Sequence, residues 1–256
     1  MIVTKNRRHG VNFIKVWFAE EPVKDKGIIT YRQAETEGRD AVPFETLITD
    51  LTETPEQIKG RFAKNCRYEV NRAEREDISV KIISGTDIKD EDIDGFISFF
   101  KEFWQSKSMD LDDPDGLTGE MRTYRDMGSL CLAMASIRGS VAVYHTYICD
   151  DVRCRLWHSA SLYRLDDEEG DSRKLTGMAN RYLHYRDMLY HKDRGLSAYD
   201  WGGAGTDAEV ANITRFKESF GGVRKTCYEY EEVRGAAAHI FKFIVSAMDD
   251  LLLTRS

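Results

Sequence analysis

Residues 130–163 read "LCLAMASIRGSVAVYHTYICDDVRCRLWHSASLY", and how this stretch folds decides the reading of the rest. It holds three runs rich in Val, Ile, Leu, Tyr and Trp, separated by short turns at Gly139 and at Asp150 and Asp151. Branched and aromatic side chains suit a pleated surface, and turns this short can only join antiparallel neighbours. The stretch predicts an antiparallel meander.

Working upstream, "ISVKIIS" (78–84) reads as a strand and "DEDIDGFISFFKEFWQSK" (90–107) as a helix. "DLDDPDGLTGE" (110–120) reads as a polar loop and "EMRTYRDM" (120–127) as a second helix. Downstream, the acidic loop "RLDDEEGDS" (164–172) leads into a long helix stopped by Gly195. After it come the strand "LSAYDW" (196–201), a short helix through Phe216 and Lys217, and the strand "VRKTCYEYEEV" (223–233). From residue 78 the order is β-α-α-β-β-β-α-β-α-β, which predicts an α/β (α+β) chain with a mixed, mostly antiparallel sheet flanked by helices. Before it lie the β-rich runs "VNFIKVWFA", "GIITYR" and "FETLITDL", then a helix opened by Thr54 and Pro55 and running to about Arg75.

The chain has 256 residues, 41% hydrophobic and 32% charged, enough for one large domain or two small ones sharing a core. A net charge of -7 supplies no global attraction for nucleic acid, so DNA is not an expected partner. Five cysteines without a CxxC pair point to a reducing cytoplasm. Lys15, Glu20 and Glu21 interrupt the first apolar run, which argues against a signal peptide, and no 18 apolar residues run together to span a membrane. The C-terminal "AAAHIFKFIVSAMDDLLLTRS" (236–256) reads as an amphipathic helix packing on the core or on a partner subunit, as in a homodimer; lying on a membrane surface is the alternative. P-loop, HExxH and GxSxG patterns do not occur. Gly203, Gly205 and Ala208 imitate a dinucleotide fingerprint, yet too little chain follows them for a βαβαβ unit.

In the helix after Thr54, Ile58, Phe62, Cys66, Val70 and Ala73 form one apolar stripe. Arg61, Lys64, Arg67, Arg72 and Arg75 lie opposite, either as a solvated face balanced by Glu69, Glu74 and Glu76, or as a site for an anionic ligand with Asn65, Tyr68 and Asn71 beside it. "KLTGMA" (174–179) opens the long helix, and its small residues Gly177 and Ala179 would let backbone N–H groups approach a pyrophosphate. His145 and His158 lie in neighbouring strands, either as structural histidines or facing a substrate cleft. His184 and His191 are seven apart on one helix face. None of these spacings predicts a metal site. Tyr163, Tyr182 and Tyr185 read as aromatic core.

"FETLITDLTETPEQIKGRFAKNCRYEVNRAERE", "KLTGMANRYLHYRDM", "YDWGG" and "ITRFKESFGG" together resemble the FemABX-like branch of the GNAT acyltransferase superfamily over residues 44 to 230. The resemblance implies an abbreviated N-terminal GNAT-like lobe over 1–77 ending in the basic helix, and a complete GNAT-like domain over 78–235. It implies a coenzyme A site at Lys174, Thr176, Gly177, Ala179 and Asn180, with Lys174 departing from the family's Gln/Arg at that place. The strand "LSAYDW" would splay from the meander, with Gly202 and Gly203 keeping the gap open and Asp200 at its mouth. Lys217 matches the Phe-Lys lysine at the family's reaction centre, and oxyanion donors would come from backbone N–H groups around Ser159 to Tyr163.

The implied activity is transfer of an acyl group, acetyl first, from acetyl-CoA or another acyl-CoA to an amine. The acceptor expected is a small-molecule or nucleotide-linked amino sugar or amino acid unit of an envelope glycan. Asp200, Lys217 and His158 are the candidate catalytic residues. Arg67, Tyr68, Arg72, His145, Tyr182, Gly202 and Gly203 are the candidate substrate contacts, Tyr182 doubling as an acid for the leaving group. An aminoacyl-tRNA donor is the alternative that the basic helix would serve, disfavoured by the acidic chain and the missing coiled-coil insertion. A non-catalytic GNAT-like binding subunit is the third reading.

Overall fold

The computed structural model describes residues 1–162, 171–205 and 208–253. In chain order the first elements are β1 (Ile2–Arg8), β2 (Val11–Trp17), β3 (Gly27–Ala34), β4 (Val42–Asp50), α1 (Pro55–Gly60) and α2 (Lys64–Ala73). There follow β5 (Ile78–Ser84), α3 (Asp90–Gln105), α4 (Pro114–Asp126), β6 (Leu130–Ile137), β7 (Ser140–Cys149) and β8 (Arg153–Ser161). The last are α5 (Asp171–Asp193), β9 (Ala198–Gly203), α6 (Ala208–Glu218), β10 (Val223–Arg234) and α7 (Ala236–Leu253). The chain forms two compact units, residues 1–45 with 225–256, and residues 46–224. These lines differ from the 77/78 and 235/236 boundaries read from the sequence.

In the first unit β1 and β2 pair antiparallel, β2 and β3 parallel, and β3 and β10 antiparallel. β1 is a strand the sequence reading did not assign; its Lys5, Arg7 and Arg8 are exposed, the charged dressing an edge strand carries against unwanted pairing. Tyr31 and Tyr230 stack at 4.4 Å in a core that includes Ile14, Val16 and Ile29. Helix α7 packs Ala238 and Phe241 against Val11, Phe13, Ile28 and Val233. Among the described residues no helix is long and apolar enough to cross a membrane.

In the second unit the strand order is β4-β9-β8-β7-β6-β5. The expected meander forms: β6 pairs β7 and β7 pairs β8, both antiparallel, and β5 extends it at β6. The expected helix over 54–75 is instead two. Thr54 caps α1 through a reciprocal box with Gln57, and Pro55 needs no N–H at the first turn. The chain then breaks so that Ala63 N–H donates to Ser219 O at 2.8 Å and Phe62 seats against Tyr185 and Phe220. The apolar stripe nonetheless holds as read: Ile58, Phe62, Cys66, Val70 and Ala73 are all buried. The polar loop expected over 110–120 becomes the first half of α4, because Asp113 accepts the Gly116 N–H as N-cap and Pro114 starts the helix.

Helices α1, α2 and α5 share the face of the sheet lined by Tyr147, Leu156, Tyr199 and Trp201. On the other face α3 lays Phe96 and Phe99 against Tyr144 and Phe100 against His158.

Candidate functional site

Strands β8 and β9 are parallel, and their pairing runs from Arg153 and Ala198 to Arg155 and Asp200. β8 continues to Ser161, while β9 is paired on its other side with β4 from Ala198 and Asp50 to Gly203 and Thr46. The ladder between the two strands therefore ends at Arg155 and Asp200. Gly202 sits at φ 67°, and a Cβ there would lie 3.0 Å from Leu156 O, so both the left-handed backbone and the close approach of β8 require glycine. Asp200 is fully buried rather than at the mouth: its Oδ1 accepts from Thr46 Oγ1 at 2.5 Å and from Gly202 N at 2.8 Å. Those bonds fix the turn that carries Gly202 and Gly203. The half-buried Lys217 donates from Nζ to Gly203 O at 2.6 Å, and burial, with Arg155 nearby, brings its ammonium down to about 8. Asp200, Gly202, Gly203 and Lys217 thus meet at one end of β9.

Helix α5 is described from Asp171 on, so Gly177 and Ala179 lie at least in its second and third turns, beyond the first four N–H groups that lack an intrahelical acceptor. Lys174 is exposed, Thr176 and Ala179 are buried, and Asn180 is half-buried. Among the described residues a Cβ on Gly177 would meet only Arg181 Nη1, at 3.9 Å, so their packing does not require glycine there. Arg181 ties this face together: Nη1 pairs with Glu69 Oε2 at 2.9 Å and the guanidinium lies 4.9 Å over Phe216.

Beneath Asn180 runs a buried polar chain. His145 Nε2 is 2.8 Å from Asn180 Oδ1, and Nδ1 is 2.8 Å from Asp187 Oδ2. The same carboxylate oxygen accepts from Tyr147 OH at 2.5 Å; Tyr147 OH lies 2.8 Å from Tyr199 OH, which lies 2.7 Å from His184 Nδ1. The imidazoles of His145 and His184 stack at 3.9 Å. Burial first, and the neighbouring His145, push His184 well below the usual histidine range, so its ring is neutral. His145, His184 and Asp187 each bring one ligand atom within 4.8 Å of the others. Convergence on a metal ion is opposed by the stacking, which sets the two rings side by side instead of pointing their in-plane lone pairs at one centre.

His145 and His158 do not share a cleft. Thr146 pairs with His158 across β7 and β8, so His158 faces α3 while His145, one residue earlier, faces α5. His158 packs among Phe96, Phe100 and Trp157, its Nε2 is buried with no hydrogen-bond partner among the described residues, and burial beside Arg155 pushes it down to about 4. Arg67, Tyr68 and Arg72 are exposed on α2: Arg67 donates to Gly60 O at 3.2 Å, and Arg72 pairs with Glu76. Lys59 with Glu74 and Asn65 with Glu69 complete a locally balanced face. Tyr182 OH accepts from Arg186 Nη1 at 2.9 Å, one turn along α5. Tyr163 and most of the acidic loop lie outside the described residues.

The sequence reading missed the set Asp187, His184, Tyr147 and Tyr199. Its signal was present: Asn180, His184, Asp187 and His191 recur at steps of four, three and four, one face of a helix whose flanking Leu183 and Met188 are buried. Polar residues on such a face are buried and so need partners.

No family model and no curated protein matches this chain. Solved structures do. The crystal structure titled FemX aligns with a TM-score of 0.59 at 13% identity, over 73% of this chain and 61% of that one, so this chain spans less than two thirds of it. L-PGS from Bacillus licheniformis aligns at 0.53 with 14% identity, over 96% of this chain and 84% of that chain. A conserved protein of unknown function from Bacteroides thetaiotaomicron aligns at 0.55 with 9% identity, over 91% and 82%. At these identities the likeness is one of fold, and the fold of this chain is the FemABX-type, GNAT-like one.

Proposed function

We propose that the protein is an N-acyltransferase that moves an acyl group, acetyl first, from acyl-CoA to the amine of an amino sugar or amino acid unit linked to envelope glycan. The observation that carries this reading is the end of β8–β9 pairing at Arg155 and Asp200 with Lys217 held against Gly203 beside it. An opening between two parallel strands admits an extended acyl-thioester arm, and a cation at its rim meets the charge that develops there.

In the reaction the acceptor nitrogen forms a bond to the thioester carbonyl carbon, and the tetrahedral oxyanion collapses by breaking the C–S bond. The nitrogen's proton must leave, and the departing thiolate must gain one. Lys217, at about 8, sits near the acidity of a thiol and serves as the acid for that thiolate or as the cation beside the oxyanion. Asp200, sealed behind Thr46 and Gly202, shapes the turn that presents Gly203 and Lys217. His158, neutral with an unpaired Nε2 among aromatic rings, is suited to accept a hydrogen bond from the acceptor on the α3 face.

Calorimetric titration with acetyl-CoA, free CoA and longer acyl-CoAs tests the donor. Saturable micromolar binding with a raised melting temperature supports the reading. No binding of any CoA species overturns it and leaves the aminoacyl-tRNA donor and the non-catalytic subunit as the competing readings.

A further inference from the structure

We infer that the outer face of α7 docks on an anionic lipid surface, with Ile240, Phe243 and Ile244 entering the interface while Arg8 and Lys26 meet the lipid phosphates. This goes beyond the acyl-transfer reading and does not depend on it.

Helix α7 is apolar on two sides, and the sheet covers one of them. Its inner side carries Ala238, which is buried, and Phe241, which packs edge-on against Phe13 at 5.5 Å and stacks on His9 at 6.2 Å. Its outer side carries Ile240, Phe243 and Ile244, which are 60%, 76% and 51% exposed. Steps of three and four residues gather these three on one helix face. A single exposed apolar side chain is ordinary, but a contiguous row of them marks an interaction site.

Charge selects the occupant. Residues 1–19 hold Lys5, Arg7, Arg8 and Lys15 and no acid. Arg8 pairs with Val11 across β1 and β2, and Val11 packs under α7, so Arg8 stands on the sheet face that carries the helix. Lys26 comes two residues before Ile28, which also packs under α7, and it lies beside Gly235 at the start of the helix. Both cations are exposed, and neither forms an ion pair among the described residues. Three acids of the same unit are already paired: Asp25 with Lys5, Glu231 with Lys242 and Glu232 with Arg234. The acids of α7 itself, Asp249 and Asp250, come more than a turn beyond Ile244.

The layering suits a lipid interface. A helix is about 10 Å across, so its outer row leads the sheet surface by about that distance. Long side chains rooted on the sheet then end behind the row, at phosphate level when the row is buried about 5–10 Å into the headgroup boundary. A second copy of the chain fits less well. The three side chains offer on the order of 350 Å² of exposed surface, less than half of the ~800 Å² a side that a stable dimer buries. A lipid surface needs no matching shape, and its negative charge adds attraction for each cation to the apolar contribution.

Co-sedimentation of the full chain with vesicles tests this, using phosphatidylcholine alone and phosphatidylcholine mixed with phosphatidylserine. Binding to the mixed vesicles is expected, weaker on phosphatidylcholine alone and falling with added salt. Ile240→Gln with Phe243→Gln should weaken it about tenfold, and so should Arg8→Glu with Lys26→Glu, each at an unchanged melting temperature because all four side chains are exposed. Failure of the wild-type protein to bind the mixed vesicles overturns the proposal. Binding that either pair of substitutions leaves unaltered overturns it as well, since the contact would then lie elsewhere. A dimer in sedimentation velocity that Ile240→Gln with Phe243→Gln dissociates, without vesicle binding, gives the face to a second copy instead. Acetyl-CoA calorimetry reads the transferase proposal separately, so either can fail while the other stands.

Discussion

His145 and His158 stand on neighbouring strands, and their opposite surroundings separate a histidine that supports from one that is available. His145, facing α5, has both ring nitrogens bonded and is sealed from solvent. His158, facing α3, is only partly buried, packs against aromatic rings and leaves Nε2 unpaired among the described residues. Unpaired buried polar atoms cost stability, so a fold that keeps one gains something else from it. A ring bonded at both nitrogens contributes rigidity and offers a ligand little directly. Reading function from "a histidine on a β-strand" thus needs the face as well as the residue.

The sharpest way to break this contrast is to delete one anchor on each face. Asp187→Ala leaves His145 Nδ1 and the Tyr147 hydroxyl, both buried, without their partner, and is expected to cost about 2–5 kcal/mol in urea unfolding. His158→Phe, similar in shape and in keeping with its aromatic neighbours, is expected to stay within about 1 kcal/mol of wild type. Equal losses would erase the difference between the faces. Next in size, Lys217→Met should lower kcat about a hundredfold with acetyl-CoA as donor. Acting as an ammonium, Lys217 makes the rate fall as pH rises through about 8, and Lys217→Arg should move that fall to higher pH. A pH profile unchanged in Lys217→Arg would remove the residue from the chemistry.

Acid stability sharpens the same comparison. His158 lies near 4 in the folded chain and near its ordinary value when unfolded, so the unfolded state binds more protons as pH falls from 6.5 towards 4. Folding therefore weakens on acidification, by about 2 kcal/mol between pH 7 and pH 5 from this one ring. His191, buried and pushed to about 3, adds a slope of the same sign. His158→Phe should remove its share and leave that of His191. An unaltered slope would show that His158 is already solvated.

What the sequence disclosed follows from how local its signals are. The meander over 130–161 was legible because alternation and short turns are properties of neighbouring residues. The meeting of Asp200, Gly202 and Lys217 was legible because a glycine pair ending a strand marks a backbone constraint. The break at 61–63 was not, since it is set by Ser219 and Phe220, over 150 residues away in the chain. Nor was the His145–Asp187 pair: each residue alone looks ordinary, and only the register of β7 beneath α5 brings them together. The placement of Asp200 failed for a related reason, since Thr46 on β4 draws its carboxylate inward.

Gly177 offers the smallest effect and a discriminating one. Within a helix, glycine costs about 0.5–1 kcal/mol relative to alanine, and here a Cβ would meet nothing nearer than 3.9 Å. Gly177→Ala should therefore raise stability by about that amount in urea titration. If a donor substrate lies along α5 beside Asn180, the same methyl should weaken acetyl-CoA binding while the protein melts higher. Opposite signs in the two readouts separate a ligand surface from a tolerant one: greater stability with unchanged binding would make Gly177 dispensable and place the donor elsewhere on the fold.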